Sequence, residues 1–224
     1  MTALVAVAIA PHGAAKPFLT ATNYPSGEYP SAAVVRDFNN DKIADIASAN
    51  TNDGNVSVFL GEKDGTFGPA NIFAVGAGAV EIASDDLNGD GSADLVVTDG
   101  GKSVYIVLGI GDGTFGTPSA ITLHTDPIGI EIADLNNDGK LDLAIAIFGP
   151  SNNSKGEAAI LLGNGDGTFA APVFYPLSHN GYRLVATDLN GDGKLDLAWP
   201  FNISRPTEIV SPSSWGMAKG LFSR

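Results

Sequence analysis

Cysteine is absent from the 224 residues, histidine occurs only three times, and 12 Lys and Arg face 25 Asp and Glu. The lack of cysteine removes a thiol nucleophile and leaves the redox compartment open. The three histidines, at 12, 124 and 179, show no metal-ligand spacing. There is no Gly-x-Ser-x-Gly elbow and no phosphate-binding glycine loop, so the inventory for catalysis is thin and the chain is read as a non-enzyme. A net charge of −13 argues against nucleic acid, whose phosphates demand a basic stripe. No apolar run within the repeats is long enough for a transmembrane helix, and no segment keeps a helical apolar period over the length a helix needs.

What is present is a ten-residue acidic motif, four times over. The copies are Asp37-Phe-Asn-Asn-Asp-Lys-Ile-Ala-Asp-Ile46, Asp86-Leu-Asn-Gly-Asp-Gly-Ser-Ala-Asp-Leu95, Asp134-Leu-Asn-Asn-Asp-Gly-Lys-Leu-Asp-Leu143 and Asp188-Leu-Asn-Gly-Asp-Gly-Lys-Leu-Asp-Leu197. Each has Asp at positions 1, 5 and 9 and Asn at position 3, and three have Gly at position 6. Oxygen donors at alternate positions, a sharp turn and a further carboxylate are what a hard cation such as Ca²⁺ requires. An EF-hand is excluded. Position 12 is Ser48, Val97, Ile145 or Trp199 instead of a bidentate Glu, and strand-like runs rather than helices flank the loops. Asp, Asn and Gly also make ordinary turns, but four copies with carboxylates in register exceed what a turn needs.

A second motif lies between the loops, as Leu60-Gly-Glu-Lys-Asp-Gly-Thr-Phe67, Leu108-Gly-Ile-Gly-Asp-Gly-Thr-Phe115 and Leu162-Gly-Asn-Gly-Asp-Gly-Thr-Phe169. Asp64-Gly65, Asp112-Gly113 and Asp166-Gly167 are read as hairpin turns, with their carboxylates as turn-makers. From each Phe, and from Phe18, the next loop begins 19 residues on. Successive loops start 49, 48 and 54 residues apart, the longer interval falling around Gly149-Pro-Ser-Asn-Asn-Ser-Lys-Gly156. A period near 50 with four short strands per unit predicts a β-propeller blade. Strand A precedes the acidic loop, B follows it, C runs into the Leu-Gly motif and D follows the Phe. The three Phe are expected to pack between neighbouring blades.

These repeats resemble the FG-GAP/VCBS family, which builds the integrin α-subunit propeller and many bacterial surface and secreted proteins. Phe67-Gly-Pro-Ala70, Phe115-Gly-Thr-Pro118 and Phe169-Ala-Ala-Pro172 carry its Phe-Gly and Ala-Pro elements, and the resemblance spans roughly residues 18 to 198. It implies an all-β propeller of about four blades, part of a six- to eight-bladed ring, with up to four Ca²⁺. The implied ligands are Asp37, Asn39, Asp41 and Asp45; Asp86, Asn88, Asp90 and Asp94; Asp134, Asn136, Asp138 and Asp142; and Asp188, Asn190, Asp192 and Asp196. The position-7 carbonyls of Ile43, Ser92, Lys140 and Lys194 would complete the sets. Lys42 replaces Gly at position 6 of the first loop, which marks that site as the weakest.

Calcium accounts for most of the acidity: the loops hold 12 of the 25 acidic residues, and four bound Ca²⁺ would leave about −5. Millimolar extracellular calcium suits such loops, so the expected setting is secreted or at the cell surface. The expected partners are a protein or glycan ligand, further blades of a parent protein, or a second copy. The function expected is a ligand-binding or adhesion scaffold; the alternative is a lectin-like module or the non-catalytic part of a calcium-dependent polysaccharide lyase. Tyr29 and Tyr182 lack equivalents in the other repeats and are candidate ligand contacts. Tyr24 and Tyr175 recur with Phe73 and Ile121 at equivalent places and are read as packing.

Three segments follow. Residues 1–15 include the apolar run Ala3–Ala10, read as a signal-peptide remnant or else as a strand of an incomplete first blade. Residues 16–198 are the repeats. Residues 199–224 form an aberrant tail, where another Leu-Gly motif is due near residue 215. Reading from the third base of each codon turns Trp215-Gly216 and Met217-Ala218 into two glycines spaced as that motif requires. A frameshift near residues 199–205 is therefore expected, with a poorly ordered tail.

Overall fold

A computed structural model describes residues 4–7, 22–149, 155–177, 182–200 and 215–218. Among these residues there is no helix. Every element is a strand of three to seven residues. Three four-stranded antiparallel sheets follow one another along the chain. The first contains β3 (Pro30–Arg36), β4 (Asp45–Asn50), β5 (Asn55–Phe59) and β6 (Asn71–Ala74). The second contains β7 (Ala79–Asp85), β8 (Asp94–Asp99), β9 (Ser103–Val107) and β10 (Ser119–Thr122). The third contains β11 (Pro127–Ala133), β12 (Asp142–Ile147), β13 (Glu157–Leu161) and β14 (Val173–Pro176). Strand order equals chain order in each, as expected for propeller blades.

Shorter sheets flank the three blades. At the start, β1 (Leu4–Val7) pairs with β2 (Thr22–Pro25), so the apolar run near the N-terminus contains a strand. At the end, β15 (Val185–Thr187) and β16 (Asp196–Pro200) are strands A and B of a fourth unit. In the tail, β17 (Trp215–Ala218) pairs with β16 where a third strand belongs, from Leu197↔Ala218 to Pro200↔Trp215. The rest of the tail after Pro200 lies outside the described residues, as does Phe18. No sheet joins the first and last units among the described residues, so the blades form an open arc.

Burial explains why these sequences become strands. β4, β8 and β12 are buried at every position, as central strands covered on both faces must be. The outermost β6 and β10 are largely exposed. Strand A of each blade carries an irregularity near its start, at Pro30/Ala32, Ala79/Glu81 and Pro127/Gly129. A bulge there bends the strand and increases its twist.

The motif phenylalanines join one blade to the next. Phe115 meets Phe38 and Phe73 of the preceding blade edge-on, with ring centroids 5.7 and 5.2 Å apart. Phe169 packs into the apolar cluster containing Leu87 and Leu108 of the blade before it. Phe67 meets Tyr24 at 5.5 Å. Polar ties add to this seam: Arg36 donates to the Ser84 carbonyl at 3.0 Å and pairs with Asp85 at 3.2 Å. Replacing Phe115 with Ala should cost about 2–3 kcal/mol, below the ~3–5 of a fully buried ring. The check is a denaturant midpoint that falls with an unchanged slope.

Candidate metal centre

Each acidic loop spans the A–B turn of its unit, and position 9 is the first residue of strand B, as Asp45, Asp94, Asp142 and Asp196. In the second loop, Asp86 accepts the Asp90 and Gly91 N–H groups at 3.2 and 2.9 Å. Asn88 Oδ1 accepts the Asp90 N–H at 2.9 Å, and Asp90 Oδ1 accepts the Ser92 N–H at 2.7 Å. The first loop repeats this with Asp37 to Asp41 and Lys42, Asn39 to Asp41, and Asp41 to Ile43. The third and fourth follow the same pattern from Asp134 and Asp188. Asx side chains thus wind the backbone into one shape four times.

That shape requires left-handed backbone at two positions. Position 6 has φ of 84° at Gly91 and Gly139 and 80° at Gly193, and Lys42 adopts 70° in the first loop. Position 4 is left-handed as well, at Asn40, Gly89, Asn137 and Gly191. A Cβ at Gly91, Gly139 or Gly193 would meet nothing within 4 Å, so the glycines answer a backbone requirement and not a steric one. Lys42 therefore bears the conformational cost, on the order of 1 kcal/mol. Lys42→Gly should tighten cation binding at the first loop alone, several-fold, as read by calorimetry against the unchanged chain.

The position-9 carboxylates do something the sequence did not disclose. Asp45 accepts the Phe38 N–H with one oxygen and the Gly61 N–H with the other, both at 2.7 Å. Asp94 does the same with Leu87 at 2.9 Å and Gly109 at 2.8 Å, and Asp142 with Leu135 at 2.9 Å and Gly163 at 2.8 Å. All three are fully buried. Each clamps the loop start, strand B and the Leu-Gly motif at the end of strand C. The motif glycine is needed for this approach: a Cβ at Gly61, Gly109 or Gly163 would sit 2.1–2.3 Å from a carbonyl oxygen beside the clamp. Asp196 accepts the Leu189 N–H at 3.2 Å and the Asn190 side-chain amide at 3.1 Å.

Electrostatics show how close the loop carboxylates stand. Burial pushes the Asp45, Asp94 and Asp142 carboxyls up from their ordinary value. Their two backbone hydrogen bonds oppose the shift, while the charges at positions 5 and 1 add to it. Among the described residues no three His, Cys, Asp or Glu side chains close on one point as a metal group. Their oxygens face loop amides, and position 3 is an amide. Each carboxylate still keeps lone pairs beyond the one or two it uses here. The donor set is wholly oxygen, which fits a hard cation and not a thiophilic one.

The Asp-Gly carboxylates behave as turn-makers. Asp64 Oδ1 accepts the Thr66 N–H at 3.0 Å and its hydroxyl at 2.6 Å, and Asp166 accepts the same pair from Thr168 at 2.9 and 2.6 Å. These bonds hold the Asp64, Asp112 and Asp166 carboxyls below the usual range. Tyr24 and Tyr175 pack as expected, whereas Tyr29 and Tyr182 stand exposed at the end of the blades opposite the acidic loops.

A strand-loop-strand unit repeated with this geometry defines a propeller repeat, and comparison with known families agrees. The FG-GAP-like repeat matches residues 37–97, 86–145 and 134–199, and the chain belongs to that family. Among solved structures it is similar to a chain of the Photorhabdus luminescens Tc holotoxin pore, at 19% identity and a TM-score of 0.48 over 87% of this chain. It is also similar to a chain in the crystal structure of BBS1N in complex with ARL6DN, soaked with lead. That match has 14% identity and a TM-score of 0.54 over 83% of this chain, and it supports the fold. The present chain spans 10% of the first of these chains and 48% of the second. No curated protein matches it significantly.

The clamp and the expected metal ligands can be separated experimentally. Asp94→Asn should destabilise the chain by about 1.5–3 kcal/mol even in excess chelator, because an amide cannot accept both buried N–H groups. Asp90→Asn in chelator should cost much less than Asp94→Asn, because Asp90 is exposed and solvent can replace the hydrogen bonds it accepts from Ser92 and Asn88. Paired urea titrations read both.

Proposed function

We propose that the chain is a calcium-stabilised extracellular propeller segment that serves as a binding or adhesion scaffold. The observation that carries this reading is the fourfold repetition of one pre-shaped, all-oxygen loop. In its first three copies the carboxylates at positions 1 and 5 raise the cost of the charge at position 9. A folding turn gains nothing from three like charges within a few ångströms. A dication held by Asp37, Asn39, Asp41 and Asp45, and by their equivalents, offsets that repulsion, with the position-7 carbonyls as further donors. Four such ions would also remove most of the net charge of −13.

Calcium at this kind of exposed loop is a structural ion. It bridges charges that the chain has already brought together, and stabilises the folded state by mass action. The millimolar levels found outside cells would fill such sites, which supports a secreted or surface setting. No helix among the described residues is long and apolar enough to cross a membrane. Recognition then falls to the loops that depart from the repeat, since the repeated residues are committed to the frame.

Calcium should raise the melting temperature in a concentration-dependent way, and chelator should lower it. Magnesium at equal concentration should do much less, because its smaller, strictly octahedral shell fits a flexible all-oxygen loop poorly. A melt that is identical in calcium and in chelator overturns the proposal.

A further inference from the structure

The acidic loops and the Asp-Gly turns all lie at one end of the blades. At the other end the D–A and B–C connections come together, and there the repeat breaks down at one place. The connection from β12 to β13 is the long one. Its described ends border a cleft of about 330 Å³, at the lower end of the ~300–1,000 Å³ typical of small-molecule sites. Phe148 and Gly149 line one side, Lys155 to Glu157 another, and His124 and Thr125 a third.

Three residues facing this cleft, Phe148, His124 and Glu157, differ from their repeat equivalents. Phe148 donates its N–H to the Asp126 carbonyl, as Thr51 does to Tyr29 and Gly100 to Gly78. An aromatic ring therefore stands where the other units have a threonine and a glycine. His124 occupies the place of Gly76, nine residues past the motif Phe in each case, and Glu157 begins strand C where Asn55 and Ser103 begin the others. Tyr182, 56% exposed and just outside the cleft lining, sets its ring against that of Phe148 at 5.4 Å and a 50° tilt. Opposite, His124 Nε2 and a Glu157 oxygen are 2.6 Å apart, with the imidazole also held edge-on against Phe174 at 4.2 Å. Lys155 is exposed at the rim.

We propose that this cleft is a carbohydrate site that takes one pyranose ring of a neutral glycan, which rests on the reading of the chain as a ligand-binding scaffold. The tilted Tyr182 and Phe148 rings offer an apolar face to the axial C–H side of a sugar. Glu157 accepts from hydroxyls, and Lys155 donates to them. His124 is the positioning residue that fixes the Glu157 carboxylate. The chain's strong negative charge disfavours a polyanionic glycan in the same place.

The test is ligand-observed NMR on the full chain in calcium, with disaccharides of glucose, galactose, mannose and N-acetylglucosamine and with a sulfated disaccharide as the anionic probe. Binding of at least one neutral disaccharide is expected. Tyr182→Ala and Glu157→Gln should weaken it tenfold or more, while Tyr29→Ala, an exposed tyrosine at the same end of another unit, should leave it unchanged. No binding of any neutral disaccharide, binding of the sulfated probe alone, or binding indifferent to Tyr182 and Glu157 would each overturn the site. A calcium-dependent melt recorded on the same samples keeps this outcome separate from the metal assignment, and unchanged melting of the two variants excludes unfolding as the cause of lost binding.

Discussion

Much of the arrangement depends on one buried carboxylate per blade. Asp45, Asp94 and Asp142 each hold the backbone at position 2 of the acidic loop and the glycine that ends strand C. Strands A, B and C are thereby pinned at one end by a charged acceptor shielded from solvent, where a charge-assisted bond contributes more than it would at the surface. The loop ahead of it is then not free to spread. Positions 1 and 5 must stand near position 9, whatever their mutual repulsion. On the proposed calcium reading, a cation at the loop would offset a cost that the clamp imposes, and folding and metal affinity would draw on the same carboxylates.

This dual use explains what the sequence could and could not disclose. Strand positions were legible because apolar runs alternate with Asp-Asn-Gly clusters at a fixed period, and the loops were legible because their oxygens recur in register. The strain at Lys42 was legible too, since only its repeat equivalents showed that glycine belongs there. The clamp was not, because an Asp at position 9 reads as a ligand whether or not it also accepts two amides. Its partner lies 16 residues away for Asp45, 15 for Asp94 and 21 for Asp142, a spacing that varies with the B–C connection. The one available signal was the invariable glycine after the leucine of the second motif. Its absent Cβ marks a close backbone approach, but the sequence does not say to what.

Neighbouring units are joined through the same end of the blades. Gly113 of the second unit donates its N–H to the Phe38 carbonyl of the first at 2.9 Å. Asn40 and Asn137 reach the glycines Gly111 and Gly193 of the following units. The acidic loops of the first three units are thus covered by the unit that follows, and stability accrues by nearest neighbours, as in other repeat proteins. The position-2 side chain records this. Phe38, Leu87 and Leu135 are 2, 3 and 1% exposed beneath the following unit, whereas Leu189 of the last unit is 48% exposed. The same residue type in the same loop is core or surface according to whether a neighbour follows it.

A division of labour between the two ends of the blade follows from these constraints. At the acidic end almost every residue is fixed by a bond to its own loop, to the clamp or to the next blade, and a substitution there disturbs the frame. At the opposite end the connections carry fewer such obligations. Tyr29 can hold a left-handed backbone at φ 58° where the next unit uses Gly78, and the β12–β13 connection can lengthen without shifting the register of either strand. Sequence variation that would break a clamp is harmless there, because loop closure penalises added length only weakly. The symmetry of the acidic end is therefore the condition for asymmetry at the other, and a surface that differs from unit to unit is what selective recognition requires.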